Sequence, residues 1–164
     1  MSFLKDSSIF KSILFLIATM FSISIMAADF SQTQYLANQG DAIAQYDLGS
    51  LYLEGKDVRQ DDTKAIEWFE KSASQGNANA QRAIGFAYYT GKRLPQDYTK
   101  AKHFFEKAAS QGEVNAQYFL GAIYYLGNGV RKNPVIAKEW FGKACKGGDQ
   151  GGCDQYKTLR QRGY

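Results

Sequence analysis

The chain has 164 residues, 45% of them hydrophobic and 15% aromatic, with 20 Lys and Arg against 16 Asp and Glu for a formal charge of +4. That length suits one domain with its own core, and the basic excess is too mild and too scattered for a nucleic-acid groove. His103 is the sole histidine, which excludes a multi-histidine metal site and a histidine-dependent nucleophile, so no metal and no cofactor are expected.

Met1 to Ala28 begins with Lys5 and Lys11, continues as the apolar run ILFLIATMFSISIM from Ile13 to Met26, and ends on Ala27 and Ala28. This is the shape of a secretory signal peptide over residues 1–28. The residue three before the cut is Ile25 or Met26, so the small-x-small rule is half met and cleavage falls after Ala27 or Ala28. An uncleaved anchor is the alternative, but spanning a bilayer takes about 20 apolar residues and Lys11 interrupts any longer run. No Cys directly follows the run to carry a lipid. The expected location is periplasmic or secreted, with no stable membrane anchor after cleavage. Lys5, Lys11 and Asp6 leave with the leader, which lowers the positive excess by one.

Beyond the leader, one pattern is written three times. AQYDLGSLYLEGKDVRQDDTKAIEWFEKS from Ala44, AQRAIGFAYYTGKRLPQDYTKAKHFFEKA from Ala80 and AQYFLGAIYYLGNGVRKNPVIAKEWFGKA from Ala116 superimpose at a spacing of 36 residues without a gap. A period of this length marks a solenoid whose units bury their apolar faces against their neighbours. The units are read as 41–76, 77–112 and 113–148. Residues 29–40 align with the second half of a unit but lack its Trp and Phe, and form an N-terminal half-repeat cap in which Phe30 and Leu36 cover the first full unit.

Each unit holds two helices. Ala44, Leu48, Leu51 and Tyr52 share one helical face, as do Ala65, Ile66, Phe69 and Ala73. Asp61, Asp97 and Asn133, the last followed by Pro134, are N-caps of the second helices. Gly55, Gly91 and Gly127 close the first helices, and Gly76, Gly112 and Gly148 close the second as left-handed caps. Gly49, Gly85 and Gly121 recur inside a helix, where Gly costs about 1 kcal/mol against Ala. Three such costs at one phase imply that another helix passes too close for a side chain. Leu48, Ile84 and Leu120 are core positions. Trp68, Phe69, Phe104, Phe105, Trp140 and Phe141 recur in phase as inter-helix filler, while Lys64, Lys71, Lys100, Lys107 and Lys143 form a solvated outer face.

The pattern A-x-x-L-G-x-x-Y-x-x-G followed by K-A-x-x-W/F-F-x-K-A-A resembles the Sel-1-like repeat family, a relative of the tetratricopeptide repeat. The resemblance implies an all-α, right-handed superhelical solenoid of antiparallel helix pairs that serves as an adaptor or binding scaffold. Residues 149–164 follow as a C-terminal capping helix from about Asp149 to Arg162, its first turn weakened by Gly151 and Gly152. Cys145 ends a second helix and Cys153 falls in the first turn of the next, positions that a tight turn brings within disulfide reach. In an exported protein such a pair is oxidised, and a bridge here would lock the weak cap. The spacing also resembles the cysteine-rich secreted branch of the family, in which every repeat carries such a bridge.

That branch implies a runner-up reading, a penicillin-binding or weakly β-lactam-hydrolysing protein. A serine β-lactamase wants S-x-x-K, S-D-N and K-T-G elements. The one S-x-x-K runs from Ser8 to Lys11, inside the leader, and neither other element occurs. No catalytic residue is assigned. His103 aligns with Glu67 and Glu139 on a polar phase, and Asp61 and Asp62 suit helix capping.

First-helix positions that vary between units are the candidates for recognition. On tetratricopeptide geometry, as the resemblance implies, a concave groove is lined by Tyr46, Ser50 and Leu53, by Arg82, Phe86 and Tyr89, and by Tyr118, Ala122 and Tyr125. Tyr and Arg are enriched at binding hot spots, although Tyr89 and Tyr125 also suit packing between helices. The expected partner is a protein or peptide rather than nucleic acid, bound by a monomer. A solenoid meeting its partners through its exposed ends is the third reading.

Overall fold

The computed structural model describes residues 30–164, and the leader read over residues 1–28 lies outside them. Eight helices and no strand occur among the described residues. α1 covers residues 30–38, and α2 (Ala42–Glu54) pairs with α3 (Asp62–Ser74), α4 (Ala78–Thr90) with α5 (Tyr98–Ser110), and α6 (Val114–Leu126) with α7 (Pro134–Lys146). α8 (Gln150–Gln161) closes the stack. From α2 to α8 each helix packs on its neighbours in the chain, and the buried residues form three clusters in succession along the stack.

The caps follow the residues that promised them. Asp61 and Asp97 accept the backbone N–H of Lys64 and Lys100 at 3.0 and 2.9 Å, and Asn133 accepts those of Val135 and Ile136. At the end of α3 the Gly76 N–H donates to the Ala73 carbonyl and the Asn77 N–H to that of Ser72, with Gly76 at φ 91°. The same double bond ends α5 and α7. It is the Schellman closure, which turns the chain sharply enough to start the next unit. Within each unit, the loop is clasped by one bond of constant phase, from Asp61, Asp97 or Asn133 N–H to the carbonyl of Tyr52, Tyr88 or Tyr124.

The glycines inside the first helices are spacers. A Cβ added to Gly49, Gly85 or Gly121 would lie 2.7, 2.9 and 2.7 Å from the rings of Phe69, Phe105 and Phe141 on the paired helix. The bare backbone lets that ring lie flat against it. Gly121→Ala is therefore expected to destabilise by about 1–3 kcal/mol through overpacking, despite the better helix propensity of Ala; chemical denaturation measures it, and a stabilised variant would contradict the spacer role.

Burial separates the aromatic pairs that repetition alone treats as one stripe. Phe69, Phe105 and Phe141 are buried, whereas Trp68, Phe104 and Trp140 are only half-buried. The latter three lie towards solvent beneath lysines: the ammonium of Lys71 is 3.7 Å from the Trp68 ring centroid and that of Lys143 is 3.8 Å from Trp140. These lysines are exposed, as read, but they also roof the outer aromatics through cation–π contact. At the N-terminal end Phe30 packs edge-on to Tyr52 at 6.3 Å, while Leu36 is exposed and Ala37 is the buried residue. The reason is phase, since Ala37 and not Leu36 is turned towards α2.

Neighbouring units are stitched by polar groups at one junction phase. The amide of Gln45 donates to the Ala37 carbonyl and that of Gln81 to the Ala73 carbonyl, at 3.2 and 3.3 Å. Each Gln oxygen in turn accepts from Gln75 or Gln111. At the last junction the same two phases are Cys145 and Cys153, joined as a disulfide with Cα atoms 4.4 Å apart. Gly152 beside it is buried rather than merely weak. A Cβ there would meet Ala144 Cβ at 2.9 Å and the Phe141 carbonyl at 3.0 Å, so glycine is what lets α8 sit against α7.

Candidate functional site

The variable first-helix positions divide into two groups. Tyr46, Ser50 and Leu53 of α2 meet Arg82 and Phe86 of α4 around a cleft of about 240 Å³. Phe69 and Ile66 of α3 and Ala83 and Ala87 of α4 complete its floor and walls, with Glu54 and Arg93 also contributing. The remaining candidates lie elsewhere. Tyr89 packs among Tyr98, Phe105 and Phe119, with centroids 5.5, 6.3 and 5.6 Å away. Burial pushes its phenol pKa up, against a hydrogen bond from Asn128 that pulls the other way. It behaves as a packing group and a neutral hydroxyl.

Tyr118 lies against Phe141 at 5.4 Å, and Ala122 and Tyr125 belong to the core cluster around Ala137, Phe141 and Leu159. The Tyr125 hydroxyl accepts a bond from the Arg162 guanidinium at 3.1 Å, so the C-terminal helix itself occupies that end of the face.

Arg82 stands out electrostatically. Its Nε lies 3.3 Å from Glu113 Oε1, yet that buried nitrogen makes no hydrogen bond among the described residues. The other oxygen of Glu113 accepts the Ala116 N–H at 2.5 Å and caps α6. Glu113 therefore balances the Arg82 charge without satisfying that nitrogen. A buried donor left unpaired costs about 1–3 kcal/mol. Arg93, the other cation of the cleft, is held 3.0 Å from Asp62.

Sequence reasoning missed Ala83. It compared three variable phases, but the neighbouring one also varies, as Asp47, Ala83 and Phe119, and that discordance was the available signal. A second hollow of about 480 Å³ lies between α7 and α8, lined by Lys138, Lys143, Lys146 and Tyr156 among others; it uses none of the variable first-helix positions. His103 is exposed. No group of three or more His, Cys, Asp or Glu that could hold a metal ion occurs among the described residues, and none of their helices is long and apolar enough to cross a membrane.

Helical hairpins at a fixed period, spacer glycines under a buried ring and a cleft between first helices together define an α-helical repeat solenoid of the scaffold class. The model of the Sel1 repeat matches residues 42–77, 78–113 and 114–149, and the chain belongs to that family. A search among proteins of curated function returned no match. Among solved structures the chain is similar to a Sel1 repeat protein from Oxalobacter formigenes, with 35% identity and a TM-score of 0.74 over 79% of this chain and 98% of that one. It is also similar to c5321, a protective antigen of uropathogenic Escherichia coli displaying the same repeat fold, with 36% identity and a TM-score of 0.72. That match covers 75% of this chain and only 26% of the other. Helicobacter pylori cysteine rich protein B shares the fold at 22% identity and a TM-score of 0.63, over 79% of this chain and 96% of that one.

Proposed function

We propose that this is an exported scaffold that binds a protein or peptide segment in the cleft between α2 and α4. The observation that carries the reading is convergence: Tyr46, Ser50, Leu53, Arg82 and Phe86, which stand at phases that vary along the repeats, line one open space. Conserved phases hold the solenoid together, which frees the discordant ones for recognition. Rigid helices on both sides favour a preformed surface with little shape change on binding. The disulfide fits an oxidising compartment, in keeping with export of the mature chain.

Panning a random twelve-residue peptide library on the purified protein tests this. Enriched peptides are expected to bind the double variant Arg82→Gln/Phe86→Ala at least about tenfold more weakly than the native chain, because truncating a central Arg and an aromatic removes hot-spot energy. Failure to enrich any peptide, or equal binding by a double variant of native melting behaviour, would reject the cleft.

A further inference from the structure

The solenoid contains its own control for what the cleft holds. In the third unit, Phe119 projects from α6 and its ring lies parallel to that of Phe105, 5.0 Å away and 10° from coplanar. Phe86 and Tyr89 flank it at 5.4 and 5.6 Å. One period upstream the counterparts of these four residues are Ala83, Phe69, Ser50 and Leu53. All four line the cleft. A methyl group thus stands where the next repeat places a ring, on a cleft of about 240 Å³ in which Tyr46 packs against Phe69 from the side of α2.

We infer that the cleft accepts one aromatic side chain, Phe or Tyr, from a peptide partner. The incoming ring would seat against Phe69 beside Tyr46, whose own ring lies 5.5 Å from that of Phe69. This deepens the scaffold reading and rests on it. Three features of the site agree. The volume lies below the roughly 300–1,000 Å³ usual for whole small-molecule ligands, which suits a single side chain. An aromatic anchor buries a large area and gains further from an offset ring stacked on Phe69. Arg82 stands on the same wall with its side chain 27% exposed, and its terminal guanidinium N–H groups would take a backbone carbonyl of the peptide. Because Glu113 already balances its charge, a neutral acceptor suffices. The Ser50 hydroxyl is committed to the Tyr46 carbonyl at 3.1 Å, so the ring meets apolar surface on that side.

The test is to fill the cleft from within. Ala83→Phe supplies the ring that the third repeat carries, and Ala83→Leu supplies a smaller plug should the first variant fold poorly. The panned peptides are expected to share a Phe or Tyr at one position. Replacing that residue by Ala should weaken binding at least about tenfold, measured by fluorescence anisotropy on labelled peptide. Ala83→Phe should lose the peptides to a similar extent, and Ala83→Leu should weaken them, at native melting temperature. Enriched peptides without a shared aromatic, or undiminished binding to both Ala83 variants, would overturn the aromatic anchor; if those peptides still depend on Arg82 and Phe86, the scaffold reading survives it. A library that yields no binder overturns both.

Discussion

Phe105→Ala is expected to destabilise the protein by about 3–5 kcal/mol, the range for deleting a buried phenylalanine. The ring is fully buried and sits where three elements meet: flat on the backbone of Gly85, parallel to Phe119 and beside Tyr89. Its loss leaves a hole between α4, α5 and α6 that rigid helices cannot close. Phe104→Ala, one residue earlier, is expected to cost much less, because that ring is half-buried and stacks on Tyr88 at 6.1 Å near solvent. Urea denaturation of the two variants decides the matter. Equal costs would mean that both members of the aromatic pair serve one core, against the division the structure shows.

Removing the Cys145–Cys153 bridge is the second large effect. Freeing the loop restores chain entropy to the unfolded state worth roughly 2.5 kcal/mol on the loop-closure model, several degrees of melting temperature for a domain of this size. The hydrogen bonds that Gln45 and Gln81 make at the matching junctions contribute about 0.5–1.5 kcal/mol each, so the covalent version is the stronger tie. It stands where it is most needed. α8 has a neighbour on one side only and carries two glycines in its first turn, though Leu159 is buried beneath it. In a stack of nearest-neighbour contacts an end unit opens first. Dithiothreitol, or Cys145→Ala with Cys153→Ala, should therefore raise amide exchange in α8 ahead of the other helices and lower the melting temperature. An unchanged melting curve would show that α8 is held by its packing alone.

Much of this fold was legible because a repeat presents the same physical requirement several times. One internal glycine is ambiguous; Gly49, Gly85 and Gly121 at a single phase can only reflect a close approach, and each lies under a phenylalanine ring. Caps were legible for a related reason, since Asp61, Asp97 and Asn133 act on backbone within three residues of themselves. The candidate site was legible in part. Variation at a phase picked out Tyr46, Ser50, Leu53, Arg82 and Phe86, which the cleft unites, but it also picked out Tyr89, Tyr118 and Tyr125, whose rings and hydroxyls are engaged by Phe119, Phe141 and Arg162. Variation cannot tell a free tyrosine from one that a neighbouring repeat has claimed.

What the sequence determined by itself is the class of protein: helix pairs at a strict period, their ends, their spacer glycines and the cysteine pair at the last junction, all set by contacts that are local or recur at the same offset. The tertiary structure decided which aromatic of each pair is core, that Ala37 rather than Leu36 of α1 turns towards α2, and where a cleft stays open between α2 and α4. Those outcomes depend on the summed volumes of side chains from three different helices. Ala83 leaves a cleft and Phe119 fills one only because Phe69 and Phe105 lie opposite them across the fold, a relation between distant residues that no single phase of the repeat contains.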